Sequence, residues 1–590
     1  MRRTVLVIVA LAVAVVQLNA KISLPAIISD NMVLQQKSEV KLWGWADPGE
    51  EVKVSSSWSR KVYSVQADAE GKWIVYVNTP KHCVGQELKF LSGSTREEIA
   101  IGNILVGEVW LASGQSNMEF WTTPKKGSAW MTGMEGWEEQ IEDAEYPNVH
   151  LFKVEECWDH TAPHEDCKGQ WVVCSKETVQ NYSAVAFLFA RELHKALEQP
   201  VGVILCAVGG THSESWIREE VMRKDTIYNR VYRNYTPDKM APKGYLHKVP
   251  SAVWNGMVNP IVGYTIKGNI WYQAESNAWR AEDYAPIFVD LVEDWRLLWG
   301  QERLPFYYMQ VAPYSQLPGK IRMEQAKVWE GRMLEDIGMV TAIDVGDSLD
   351  IHPRNKLVPA RRFADVVLAN EYNRKIECYG PVVKSVSFNG QELVVGFDYA
   401  EGMHVVLPSG ERSSVGAAYL HVAGSDGVYY PAFSRIEAGS LIVWHPEVKM
   451  PVKVKYCTED YCKGNIYNGA GQPAYPFEAQ IPVVLEYADE LDVKPSFQGG
   501  TTDDFTIWAF SKIMYPTFAV KAKIEGTVKV SFVINTDGSV SDVTVVEGVH
   551  PSLDNEAKRV ISKSPLWSPG KLDGKPVRVR YVQPIEFRLR

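Results

Sequence analysis

Val109-Trp110-Leu111-Ala112-Ser113-Gly114-Gln115-Ser116-Asn117-Met118 runs from an apolar strand into a polar turn and on to the start of a helix. A serine at such a turn lifts its Oγ above the carboxyl edge of a sheet, where the first free N–H groups of the helix can meet an oxyanion. Serines also sit there as simple helix caps, so Ser116 acquires chemical meaning only together with partners. The texture around it extends outward. Apolar strand-like runs at 104–112, 201–208 and 266–272 alternate with helical patterns at 183–197 and 354–371. Alternation of this kind implies a parallel sheet covered by helices.

On both sides the pattern changes. Residues 21–105 hold short alternating runs, Glu39-Val40-Lys41-Leu42-Trp43-Gly44-Trp45 and Lys72-Trp73-Ile74-Val75-Tyr76-Val77, with Asp47-Pro48-Gly49 as a turn cluster. That is the pattern of a β-sandwich. After the Tyr379-Gly380-Pro381 break, alternation returns over 379–485, as in Leu393-Val394-Val395-Gly396-Phe397. Residues 486–504 are acidic and end in Gln498-Gly499-Gly500-Thr501-Thr502, the composition of a linker. In 505–590, two alternating runs at 526–534 and 539–546 flank the hairpin turn Asn535-Thr536-Asp537-Gly538. Ser552 is placed to cap a helix carrying Leu553, Ala557, Val560 and Ile561 on one face, and 577–587 closes the domain as a strand. The expected fold class is α/β: a parallel-sheet core over 106–378, flanked by a β-sandwich and a β-rich domain, plus a small α+β domain at the C-terminus.

At 590 residues, 46% hydrophobic and 23% charged, the chain is several globular domains and gives no case for disorder, collagen or a coiled coil. Its formal net charge of −10 offers no long-range attraction to nucleic acid or anionic lipid. Met1-Arg2-Arg3, the apolar run from Val5 to Val16, and Leu18-Asn19-Ala20 form a secretory signal peptide over 1–20. Cleavage before Lys21 would leave a soluble periplasmic or secreted protein in which disulfides are permitted. Cys157, His160, His164 and Cys167 are spaced superficially like a zinc knuckle. Pro163 interrupts the helical geometry that would aim both histidines together, and export suits a disulfide among Cys157, Cys167 and Cys174 better. No metal and no cofactor is expected.

A nucleophilic serine needs a base to take its proton and a third group to orient that base. His352, in Asp347-Ser348-Leu349-Asp350-Ile351-His352-Pro353, follows a strand-like run and lies in a loop beside two acids, Asp350 and Asp347. An imidazole at its ordinary value gives activity that rises with pH through roughly 6 to 7. Gly209-Gly210-Thr211 follows the 201–208 run and permits close backbone approach to a ligand. Gln273-Ala274-Glu275-Ser276-Asn277 follows the 266–272 run and supplies an amide donor. Four strand ends bearing serine, paired glycines, asparagine and Asp/His point to metal-free acyl transfer.

These four segments resemble an SGNH-type hydrolase, and together they are similar to the sialate O-acetylesterase family over roughly 21–480. Asn255-Gly256-Met257 and Asn465-Ile466-Tyr467-Asn468 extend the likeness. The resemblance implies Ser116 as nucleophile, His352 as base, Asp350 as its orienter with Asp347 or a backbone carbonyl as alternatives, and Gly209, Gly210 and Asn277 as oxyanion donors. Gln115, Gln273 and Glu275 are implied in substrate binding. Ala274 departs from the family, which has Gly there, and a left-handed turn at that point would cost its methyl about 1 kcal/mol.

A second resemblance covers 496–590, where Tyr515-Pro516, Glu525-Gly526-Thr527-Val528 and Pro565-Leu566-Trp567-Ser568-Pro569-Gly570 are similar to the TonB C-terminal domain. That implies pairing with a peptide of an outer-membrane transporter by strand addition. Three functions follow as expectations. The first is a sialate O-acetylesterase acting on O-acetylated sialic acid. The second is an acetylesterase for xylan or another polysaccharide. The third, of a different class, is a non-catalytic glycan-binding or transporter-associated protein.

Overall fold

The computed structural model describes residues 22–589 apart from 390, 425, 482–483, 487–490 and 573, so segment 1–20, expected to be a signal peptide, lies outside the described residues. The chain divides into two compact units between Ala479 and Gln480. Among the described residues no helix is long and apolar enough to cross a membrane.

The first unit is built on seven strands: β1 (Glu98–Gly114), β2 (Tyr146–Lys153), β3 (Trp171–Cys174), β4 (Val201–Ala207), β5 (Gly268–Tyr272), β6 (Phe306–Gln310) and β7 (Ile337–Thr341). Their order is β7-β6-β5-β1-β4-β2-β3, parallel throughout except for the β2–β3 edge pair. Every residue of β4, β5 and β6 is buried, which is why these strands read as unbroken apolar runs with no alternation. Helices Ala184–Leu197, Tyr284–Trp299, Lys320–Glu330 and Leu357–Glu371 accompany the sheet. Trp110 packs edge-on against Phe189, and Trp271 meets Trp216, Phe288 and Trp295. The last of these helices starts at Leu357, three residues later than its pattern implies, because Asn355 Oδ1 accepts the Val358 N–H and closes a turn first.

The expected boundary at 105 falls inside β1. Its first half pairs with Cys83–Ser92 and Val33–Gln35, its second half with β4 and β5, so a single strand serves both the N-terminal β-domain and the parallel sheet. After the sheet, Val382–Phe388, Leu393–Asp398, Ser440–Trp444 and Phe433–Glu437 form a four-stranded antiparallel sheet.

All eight cysteines are free, which corrects the expected disulfide. Cys174 Sγ faces the Ala144 carbonyl at 3.6 Å, while Cys157 Sγ lies 3.8 Å from His164 Nδ1. His164 Nε2 is 3.0 Å from Asp159, and the described residues contain no cluster arranged to hold a metal ion.

The second unit carries a sheet in the order β8-β11-β9-β10, formed by β8 (Val484–Glu486), β9 (Gly526–Ile534), β10 (Val540–Glu547) and β11 (Lys575–Phe587). The β9–β10 hairpin turns through Gly538 at φ +83°, as its Asp-Gly pair implies. The helix Pro551–Ile561 is capped by His550, whose side chain accepts the Ser552 N–H, and Ser552 is therefore not the cap. Val484 and Leu485, expected in the β-rich domain, and much of the stretch expected as a linker belong to this unit. Val484–Glu486 pairs in parallel with Arg578–Arg580, Ser496–Phe497 pairs with Trp567–Ser568, and Thr501 with Asp504 makes a capping box for the helix Thr502–Lys512.

Candidate active site

Gly114 ends β1 at φ +138°, and a Cβ there would collide with the Tyr272 carbonyl oxygen of β5. This glycine lets the chain turn at once into the single-turn helix Ser116–Glu119, with the Gln115 N–H donating to Tyr272 O at 3.0 Å. Ser116 Oγ then lies 2.9 Å from His352 Nε2. The stem of the histidine loop is anchored by Arg362, which donates to both oxygens of Asp344 at 2.7 and 2.8 Å. Asp350 Oδ1 accepts the His352 backbone N–H at 2.8 Å and stands 3.5 Å from Nδ1, a longer contact than a hydrogen bond. Asp347 turns away to accept the Leu349 N–H at 2.7 Å. The Trp130 ring covers the imidazole at 4.8 Å between centroids.

The other two strand-end loops divide their residues between the cavity and its backing. Gly210 reaches the cavity wall at φ +72°. The Gly209 N–H is already engaged, donating to Glu119 Oε2 at 2.7 Å. Asn277 is buried away from the cavity wall: its Nδ2 donates to Glu214 at 3.0 Å, and its Oδ1 accepts from the Ser213 N–H and from Gln273 Nε2. Gln273 also donates to Thr211 O at 3.1 Å, so this pair straps the loops after β4 and β5 together. Gln115 and Glu275 do line the cavity, and Gln115 Oε1 accepts the Ser276 N–H at 3.2 Å. Ala274 has φ +158° and ψ −16°, outside the regions open to an L side chain, so this turn favours glycine and the cost expected of the methyl stands.

The cleft over Ser116 has a volume of about 600 Å³. Sequence reasoning missed several of its walls: Glu119, Lys125, Trp130, Glu156, Trp158 and His247. Only Glu119 had a local signal, since it stands one helical turn after Ser116. Burial, and then the charge of Lys356, pushes His352 down to about 4, well below the range expected of an open imidazole. Burial, and then the nearby Glu156 charge, pushes Glu119 up to about 7. A neutral imidazole within hydrogen-bond reach of a serine hydroxyl can accept its proton across the physiological range.

Residues 106–365 match the family of carbohydrate esterases described as sialic acid-specific acetylesterases, and residues 511–589 match the Gram-negative bacterial TonB protein C-terminal family. The chain is 27% identical over 446 residues to the sialate O-acetylesterase of Mus musculus, a match covering 64% of this chain and 79% of that protein. It is 27% identical over 418 residues to the Homo sapiens sialate O-acetylesterase, covering 64% and 76%. Among solved structures, a carbohydrate acetylesterase from Xanthomonas citri superposes with a TM-score of 0.68 at 27% identity, over 78% of this chain and all of that one. This chain is thus an esterase whose residues 106–365 carry a domain of the sialic acid-specific acetylesterase family, with a TonB-type domain at its C-terminus.

Proposed function

We propose that the protein is an exported serine carbohydrate esterase of SGNH type that removes O-acetyl groups from sialic acids through an acyl-enzyme. The observation that supports this most is the 2.9 Å approach of Ser116 Oγ to His352 Nε2 at the carboxyl edge of a parallel sheet. In this reading His352 takes the hydroxyl proton as Oγ attacks the acetyl carbonyl, then returns it to the departing sugar oxygen. The same imidazole next deprotonates a water that releases acetate. Asp350 orients His352. The developing oxyanion is met by the free N–H groups of Ser116 and Gly210, with Gly209 joining when Glu119 yields its hydrogen bond. Asn277 and Gln273 act from behind by holding those loops, and Gln115 and Glu275 face the sugar. No metal or cofactor enters any step.

A second reading, an acetylesterase for a neutral polysaccharide, is favoured by the charge of the walls. Glu119, Glu156 and Glu275 line the cleft against one ammonium, Lys125, a poor setting for an anionic sugar. Acetate release measured side by side from O-acetylated mucin sialic acids and from acetyl-xylan decides between them. Preference for xylan sinks the sialate reading, and turnover of neither sinks both in favour of a binding protein.

The placement we propose is periplasmic, with the C-terminal unit docking an extended peptide of an outer-membrane transporter along β10, an edge strand of its sheet. Binding of transporter-derived peptides to fragment 480–590 tests this, and self-association alone overturns it.

A further inference from the structure

Behind the nucleophile lie two buried polar groups that the acyl-transfer steps do not use, joined to a third, Glu275, that reaches the cleft wall. Asn117 adjoins Ser116, Lys356 precedes the helix Leu357–Glu371, and Glu275 follows β5; all three are at most 5% exposed. Lys356 Nζ donates to Asn117 Oδ1 at 2.6 Å. Asn117 Nδ2 donates to Glu275 Oε1 at 2.6 Å and to the Ile351 carbonyl at 3.1 Å. The amide is therefore fixed at both ends. An ammonium holds its oxygen, and its two N–H groups reach a carboxylate and the carbonyl directly before His352. The Phe120 ring lies 4.5 Å from the ammonium and shields it. A buried Lys/Glu pair stabilises a fold little more than apolar side chains of equal volume would. What these bonds do supply is geometry, since they tie three separate strand-end loops to one side chain.

Resting on the esterase reading of Ser116 and His352, we propose that Lys356 and Asn117 are positioning residues for the base. Lys356 orients the Asn117 amide, and Asn117 pins the Ile351 carbonyl so that the imidazole stays on the Ser116 hydroxyl. The ammonium also acts on His352 by its charge, opposing Asp350. The other ionisable groups around the imidazole are Glu119, Glu275, Lys125, Glu156 and His247 on the cleft side, and Glu135, Asp344, Asp347, Arg354 and Lys463 on its other side.

The test uses the full chain and p-nitrophenyl acetate, with Lys356→Met, Asn117→Leu and their double variant. Circular dichroism checks the fold of each. Lys356→Met is expected to lower kcat about tenfold or more with KM within about twofold, and to move the acid limb of kcat/KM upward by about half a pH unit or more. Asn117→Leu is expected to lose about a hundredfold in kcat, and adding Lys356→Met to it to cost less than about threefold more, because Lys356 acts through Asn117. Lys356→Gln, which keeps an N–H donor without the charge, is expected to recover part of kcat while its acid limb still moves. It carries the same test where Lys356→Met does not fold. Wild-type kcat and an unmoved limb in the lysine variants, or fully additive losses in the double variant, overturn the positioning role. Hydrolysis that survives Ser116→Ala overturns the esterase reading beneath it.

Discussion

The carboxyl edge of the parallel sheet and the sheet of the C-terminal unit treat polar residues in opposite ways. At the edge, Asn117, Glu275 and Lys356 form one buried bonded set, and Glu214, Gln273 and Asn277 another. The core of the C-terminal unit is Phe505, Phe532, Leu553, Val560 and Trp567, with aromatic rings meeting at 4.7 to 6.0 Å. Its surface leaves Ile507 69%, Met514 66% and Phe518 60% exposed. Burying a polar group costs free energy unless every partner is supplied, so a rim packed with them is shaped by a demand other than stability. The comparison teaches that buried polarity gathers where loops from several strands can satisfy it, whereas the C-terminal unit buries an apolar, aromatic core.

Substitutions that separate the two regions give the sharpest tests. Ser116→Ala is expected to lower kcat/KM for small acetyl esters by about 10³-fold or more while changing unfolding free energy by less than about 1 kcal/mol. A variant keeping more than about a tenth of the wild-type rate removes Ser116 from its role. Phe532→Ala, at a fully buried site, should do the reverse. It is expected to cost the C-terminal unit about 3–5 kcal/mol, read in the unfolding of fragment 480–590, and to leave ester hydrolysis by the full chain within about twofold. Loss of hydrolysis in that variant would break the division of labour.

The pH profile provides a smaller effect with a definite sign. His352 works as a base only when neutral, so its contribution to activity is lost as pH falls through its folded value, about 4. A limb between 6 and 7 instead would mean that the imidazole is open to water in solution. Glu119→Gln is expected to change kcat by less than about tenfold, since it alters one competitor for the Gly209 N–H and leaves the other donors in place. A loss as large as that of Ser116→Ala would place Glu119 in direct contact with the reacting atoms.

The parts legible in the sequence were those that repeat a local pattern. The apolar runs of β4, β5 and β6, the Asp-Gly hairpin and the Gly-Gln-Ser-Asn turn each carry their meaning within ten residues. Ser116 and His352 were legible because each sits at the end of such a run. Lys356, Trp130 and Trp158 were not, because they arrive from loops without a period and owe their place to contacts distant in the chain, as when Lys356 meets Asn117, Trp130 meets His352 and Trp158 meets His247. The value of His352 was hidden because burial sets it: the Trp130 ring that covers it comes from a distant segment, and Lys356, though close in sequence, is held in place by Asn117. Asn277 was visible as a polar residue in the right loop, but Glu214 and Arg280, which claim its amide and lock that claim with a 2.7 Å ion pair, had no signal linking them to it.

The smallest expected effect is also the most direct challenge to the two-unit picture. Cutting the chain after Ala479 should leave hydrolysis of small acetyl esters within about twofold of the full chain. The position matters. A cut at 490, where composition suggests the linker, would strip β8 from the sheet it extends through its pairing with Arg578–Arg580. A cut after Ala479 keeps that pairing, along with the Ser496–Phe497 pair and the capping box at Thr501. Each fragment retains its own apolar core, and every residue at the cleft lies before residue 353. Fragment 480–590 is accordingly expected to unfold cooperatively on its own, and fragment 480–590 should be more stable than 491–590, because the shorter piece loses a strand neighbour of β11. Equal stability of the two would show that β8 contributes nothing to the sheet in solution. A large loss of hydrolysis in fragment 21–479 would show that the C-terminal unit shapes the cleft, and the contrast between the two units would have to be redrawn as one coupled site.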